Sequence, residues 1–210
     1  LSPDAFETAA NETGALILDT RDPQTFAKGF IPNSVNIGID GQFAPWVGAM
    51  IPDIKQEILL VTDEGREEEV ITRLARVGYD HTIGYLKDGF NAWKNAGKEV
   101  DQIRSIDADE LAAISKKEKV NILDVRKKSE FLSEHIQDAE NTPLDFINDS
   151  MAQIDKDKTY YVHCAGGYRS MIFNSILRAR GYDNLVDVKA GFKAIKDLSL
   201  SALLLFFEFI

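Results

Sequence analysis

The sequence has one cysteine, Cys164, in 210 residues, so no internal disulfide can form. That usage fits a reducing compartment, and the expected location is cytoplasmic. Basic residues are in the minority: 24 Lys and Arg stand against 34 Asp and Glu, for a net charge of −10. A nucleic-acid surface needs a basic footprint, so no nucleic-acid partner is expected. Histidine is scarce too. His81, His135 and His163 are scattered with no metal-ligand spacing, so neither a metal nor a cofactor is expected within this chain. The one strongly apolar run, residues 201–210, is shorter than the roughly 20 residues a membrane helix needs. It reads as a docking segment or an artefact of how the chain was cut, with membrane contact the lesser option. The N-terminus has no basic segment followed by an apolar one, so no signal peptide is visible. The missing initiator Met suggests a cut from a longer chain, which leaves room for a domain upstream.

What the sequence does contain is one pattern written twice. Ala15-Leu16-Ile17-Leu18-Asp19-Thr20-Arg21 returns as Val120-Asn121-Ile122-Leu123-Asp124-Val125-Arg126, an offset of 105. Phe26, Ile31 and Asn36 meet Phe131, Ile136 and Asn141 at the same offset. Gly78-Tyr79-Asp80 matches Gly181-Tyr182-Asp183, and Gly89-Phe90 matches Gly191-Phe192. Two domains of ordinary size follow, 1–99 and 100–210, joined at a polar stretch. In the second copy, Ala108–Ser115, 127–134, 170–180 and 191–198 read as helices, the third of them amphipathic and stopped by Gly181. Residues 120–125, 158–163 and Leu185–Val188 read as buried strands. Alternating strands and helices predict an α/β fold: in each copy a parallel sheet with helices on both faces. Ligands on such sheets bind at the carboxyl ends of strands. The turn after His163 is therefore the position of interest.

That turn is Cys164-Ala165-Gly166-Gly167-Tyr168-Arg169-Ser170. It leads from a buried strand into a helix N-terminus, which offers unpaired N–H groups and positive potential. Gly166 and Gly167 allow the backbone to curl into an anion nest, and Arg169 adds a positive charge. Such a setting favours a reactive thiolate. Tyr168 is expected to wall the pocket. Asp124 and Arg126, at a neighbouring strand end, either support the site or brace the loop as an ion pair. Ser170 is a further supporting candidate. His163 should point away from Cys164 by strand alternation, and His135 should serve packing.

With these residues in place, the sequence resembles a tandem rhodanese. The resemblance rests on the strand end with Asp124 and Arg126, Glu130-Phe131, His135-Ile136, Val162-His163-Cys164 with its loop, and Gly191-Phe192. It implies sulfur transfer from a donor such as thiosulfate or a small persulfide to a thiol or cyanide. The route is a persulfide on Cys164, cradled by Ala165, Gly166, Gly167, Tyr168 and Arg169. Cysteine-dependent phosphatases and arsenate reductases are the rival enzymes. Their loop has five residues between Cys and Arg; here there are four, a ring better suited to one sulfur atom than to a phosphate. A binding module that has merely kept a cysteine is the other alternative. In the first copy, aligning Val61 with Val162 places Asp63 opposite Cys164, in an acidic loop expected to be catalytically silent. A silent domain before an active one is similar to the C-terminal pair of persulfide dioxygenase–rhodanese fusions. That similarity implies a metallo-β-lactamase-fold, metal-binding domain upstream. No oligomeric state follows from the sequence.

Overall fold

The computed structural model describes residues 1–202 and 207–208, and the chain divides into two compact units, Leu1–Gln102 and Ile103 onward. In the first unit, helices α1 (Pro3–Thr13), α2 (Pro23–Ala27), α3 (Phe43–Met50), α4 (Glu67–Ala75) and α5 (Gly89–Asn95) alternate with strands β1 (Leu16–Asp19), β2 (Val35–Asn36), β3 (Ile58–Val61) and β4 (Thr82–Tyr85). The strands form a parallel sheet in the order β2-β1-β3-β4. In the second unit, β5 (Ser105–Ile106), β6 (Asn121–Asp124), β8 (Glu140–Asn141), β9 (Tyr160–His163) and β10 (Leu185–Val188) form a parallel sheet in the order β5-β10-β9-β6-β8. Its helices are α6 (Ala108–Ser115), α7 (Lys128–Ser133), α8 (Ile147–Ser150), α9 (Tyr168–Ala179) and α10 (Gly191–Ala202). The short strand β7 (His135–Ile136) pairs antiparallel with β11 (Phe207–Glu208). The rest of the apolar run, 203–206 and 209–210, lies outside the described residues, and so does most of what was expected of it.

Local chemistry explains these elements. The central strands β3 and β9 are Ile-Leu-Leu-Val and Tyr-Tyr-Val-His, buried at every position, as a sheet covered on both faces requires. Strand β4, at a sheet edge, alternates half-buried and exposed residues, whereas β10, covered by β5, is buried throughout. Helix α2 starts at Asp22, whose carboxylate accepts the N–H groups of Gln24 and Thr25. The matching residue before α7 is Lys127, which has no acceptor to offer. There the cap runs the other way: the Lys127 N–H donates to Glu130 Oε2 at 3.1 Å.

Each unit has its own core. Phe6, Leu59, Leu86 and Trp93 cluster in the first, and Leu111, Tyr161, Val188 and Ile195 fill the corresponding places in the second. Side chains of this size, fully removed from water, contribute about 1.5–3 kcal/mol each before entropy is counted. Helix α9 departs from the expectation of an amphipathic helix starting at residue 170. It starts at Tyr168, and every residue from Ser170 to Leu177 is buried. Polar Ser170, Asn174 and Ser175 are inside with the apolar residues, so a periodicity count takes a central helix for a surface one.

Candidate active site

Cys164 follows the last residue of β9, is separated from α9 by three residues, and is 1% exposed. The chain must turn sharply there, and Gly167 makes the turn with φ +95°. Its N–H then donates to Cys164 Sγ at 3.1 Å. Gly166 does not take a left-handed conformation, and a Cβ built there meets no atom within 4 Å. Of the two glycines read as shaping the nest, the geometry requires only Gly167. Ala165 and Gly166 form the exposed crest of the loop, and Tyr168 and Arg169 are half-buried in the first turn of α9. Among the described residues no side chain caps α9. The first-turn N–H groups of such a helix lack intrahelical acceptors and favour negative charge nearby.

A second turn holds the loop from behind. Ala190 and Gly191 both have positive φ, 54° and 55°. The Phe192 N–H donates to the Cys164 carbonyl at 2.7 Å and the Lys193 N–H to the Ala165 carbonyl at 3.1 Å. A Cβ on Gly191 would lie 2.3 Å from the Cys164 carbonyl oxygen, so only glycine fits.

Asp124 and Arg126 form a buried, bidentate ion pair with bonds of 2.6–3.0 Å. Arg126 also donates to the Glu134 carbonyl at 2.7 Å and lies over the Phe192 ring, 3.9 Å from its centroid. The pair braces the segment that positions the loop; it does not bond to Cys164. His163 is wholly buried, its Nε2 3.8 Å from Asp124 Oδ2, and burial pulls its pKa down, so the ring is neutral. His135 stacks on Phe131 with ring centroids 4.0 Å apart. The Ser170 hydroxyl donates to Asp187 Oδ1 at 2.9 Å, and Ser105 donates to the other carboxylate oxygen at 3.0 Å. Asp187 was not foreseen. A lone Asp within an apolar strand gave the only sign of it.

Glu130 was also missed as a site residue, having been read only as part of a motif. Arg169 Nη1 donates to Glu130 Oε2 at 2.6 Å and Nη2 to Oε1 at 2.8 Å. The guanidinium beside it holds the Glu130 carboxyl down at about 2. Arg169 is therefore not a free positive charge over the loop.

The first unit corrects the alignment made from sequence. Asp19 pairs with Val61 across β1 and β3, and Asp124 pairs with His163 across β6 and β9. The Thr20 N–H donates to the Val61 carbonyl just as the Val125 N–H donates to the His163 carbonyl. Val61 thus corresponds to His163, and Thr62, not Asp63, stands in the place of Cys164. Thr62 is buried, and its Oγ1 has no partner among the described residues. Asp63, Glu64 and Gly65 form an exposed crest. The connection before α4 is not shortened. It has four residues, 63–66, where the second unit has three, and the helix is the shorter part, 9 residues against 12.

Among the described residues, no cluster of three or more His, Cys, Asp and Glu is arranged to hold a metal, and no helix is long and apolar enough to cross a membrane.

Comparison with known proteins agrees with this geometry. The family model of the rhodanese-like domain matches residues 2–96 and again 107–198. The protein YqhL of Bacillus subtilis is 35% identical over 75 residues, 36% of this chain and 60% of the relative's length. A sulfurtransferase of Allochromatium vinosum is 28% identical over 90 residues, 42% of this chain and 84% of its own. A rhodanese-like domain protein from Staphylococcus aureus, known as a crystal structure, is 37% identical with a TM-score of 0.42, over 44% of this chain and 91% of its own. The chain carries two rhodanese-like domains in tandem and belongs to the rhodanese-like family, whose members include sulfurtransferases.

Proposed function

We propose that the second domain is a sulfurtransferase working through a persulfide on Cys164. One observation carries the reading. The only thiol in the chain sits at the carboxyl end of a central strand, beside a helix N-terminus, with the Gly167 N–H donating to its sulfur. In the first step the outer sulfur of thiosulfate, or of a small persulfide, bonds to Cys164 Sγ. The bond from that sulfur to the rest of the donor breaks, and sulfite or a thiolate leaves with the electron pair. In the second step an acceptor thiolate, or cyanide, attacks the outer sulfur of the Cys164 persulfide. The S–S bond breaks and its electron pair returns to Cys164 as thiolate. Backbone N–H groups suit the negative charge on the outer sulfur.

The first domain offers Thr62 at the same place. An alcohol is scarcely ionised near neutral pH and forms no persulfide, so this domain is silent and serves as a packing or docking unit. The sequence likeness to dioxygenase fusions leads us to place the chain within a longer, cytoplasmic persulfide-handling protein. A phosphatase reading is disfavoured because Arg169, which would have to grip the phosphate, is engaged by Glu130 through two bonds.

Mass spectrometry after incubation with thiosulfate or glutathione persulfide tests the proposal. A gain of one sulfur on the Cys164 peptide, transferred on to added thiol, is expected. No adduct, or unchanged turnover in Cys164→Ser, would leave a binding module. Turnover of an aryl phosphate would favour the rival enzyme class.

A further inference from the structure

We propose that Glu130 determines which donors the Cys164 site accepts, by cancelling the charge of Arg169, so that a low-charge alkyl persulfide is preferred over the thiosulfate dianion. The proposal rests on the sulfurtransferase reading above and deepens it.

The argument starts from charge around the loop. A thiolate nucleophile repels an anionic donor, so a site for thiosulfate needs a free cation near the sulfur. Arg169, the cation of the loop, has 16% of its side chain exposed and joins both terminal nitrogens to the two oxygens of Glu130. A bidentate pair of this kind fixes the guanidinium in one plane and leaves little net charge. Arg126, the next cation inward, is cancelled in the same way by Asp124. Glu130 is itself held from behind by the Lys127 N–H, so its carboxylate does not simply follow Arg169 toward a ligand. It stays ionised throughout the neutral range. The backbone N–H groups remain as the attraction for sulfur, and they suit a single sulfur atom of partial charge better than a sulfonate group.

The silent domain supports the assignment. The residue 105 positions before Glu130 is Thr25, and the residue five beyond Thr62, as Arg169 is five beyond Cys164, is Glu67. The pair is absent where the thiol is absent. It therefore belongs to the chemistry and not to the shared scaffold, unlike the Asp124–Arg126 brace, which both domains have.

The test is a double-substitution cycle on the intact chain, with KM and kcat measured separately for thiosulfate and for hydroxyethyl persulfide. Glu130→Gln frees the Arg169 charge and should lower KM for thiosulfate about tenfold. Arg169→Gln leaves Glu130 unpaired and should raise it by a similar factor. The double substitution should bring KM for thiosulfate back to within about threefold of the original. For hydroxyethyl persulfide the opposed shifts should be absent, and Glu130→Gln should not lower KM. A merely structural pair would instead impair both donors in both single variants, in the same direction. That result, or a thiosulfate KM unmoved by either substitution while Cys164 still takes up sulfur, overturns the proposal. The cycle needs only one single variant to fold, because the two are expected to move KM in opposite senses. Absence of any sulfur on Cys164 in the unsubstituted chain, with either donor, would instead remove the sulfurtransferase reading on which the proposal rests.

Discussion

In the first domain Asp19 grips Arg21 through three side-chain bonds of 2.5–3.0 Å, and Arg21 reaches the Gly29 carbonyl and lies over Phe90. In the second, Asp124 grips Arg126, which reaches the Glu134 carbonyl and lies over Phe192. Asn36 and Asn141 each donate to the carbonyls of the paired Asp and Arg. The positive-φ pairs Asp88-Gly89 and Ala190-Gly191 repeat the same turn. Nearly everything that shapes the strand ends is thus common to a domain with a thiol and a domain without one. The shared parts build the rhodanese-like frame. A positive-φ glycine three residues on, Gly65 or Gly167, is shared as well. The parts confined to the second domain, namely Cys164, the bond from the Gly167 N–H to its sulfur, the Glu130–Arg169 pair and the Asp187 hydroxyl network, carry the proposed reaction.

Six substitutions would break or sharpen that division, from the largest effect to the smallest. Cys164→Ser should reduce sulfur transfer more than about 1,000-fold with thermal stability little changed, measured as turnover beside a melting curve. Asp124→Asn and Asp19→Asn should each cost about 3–5 kcal/mol in denaturant unfolding, because each leaves a buried guanidinium without its counter-charge. Unequal costs would show that the brace is not a purely structural device. Gly191→Ala should lower kcat/KM about 100-fold by pushing the Cys164 carbonyl out of place. Gly89→Ala, whose Cβ would meet the Thr62 carbonyl at 3.4 Å, should cost only the backbone strain of about 1–3 kcal/mol and leave turnover alone. The smallest effect is on pH dependence. Glu130 drops from the usual 4.5 to about 2 in the folded chain. The stability it contributes is complete above about pH 4.5 and is lost as the pH falls toward 2. Glu130→Gln should therefore narrow its gap from the unsubstituted chain across that window and nowhere above it.

The sequence made some of this legible and hid the rest for physical reasons. The offset of 105 exposed both parallel sheets, because Ile-Leu-Asp with Arg two residues after the Asp is a buried strand ending in a charged pair, and such a segment is hard to write otherwise. Cys164 and its loop were visible because a lone thiol ahead of two glycines and an arginine is rare. The register opposite Cys164 was not. Two apolar strands present similar letters, and sliding Val61 onto Val162 costs nothing until the hydrogen bonds of Thr20 and Val125 fix the match one residue away. The Glu130–Arg169 pair was hidden because its partners lie 39 residues apart, joined only by the fold. Glu130 had a local duty, capping α7, that accounted for it without reference to the site. Helix α9 began earlier than expected because its first turn has no side-chain cap to mark it.

The central claim is that the two frames are alike and only the second is fitted for sulfur. The most direct measurement supplies both with a thiol. In the chain carrying Thr62→Cys, the rate of sulfur loading from thiosulfate is followed by peptide mass spectrometry at positions 62 and 164. The account predicts loading at Cys164 at least about 100-fold faster, because the acidic crest repels an anionic donor and, unlike Cys164 Sγ, Thr62 Oγ1 receives no N–H among the described residues. Equal rates at the two positions, or faster loading at position 62, would contradict it.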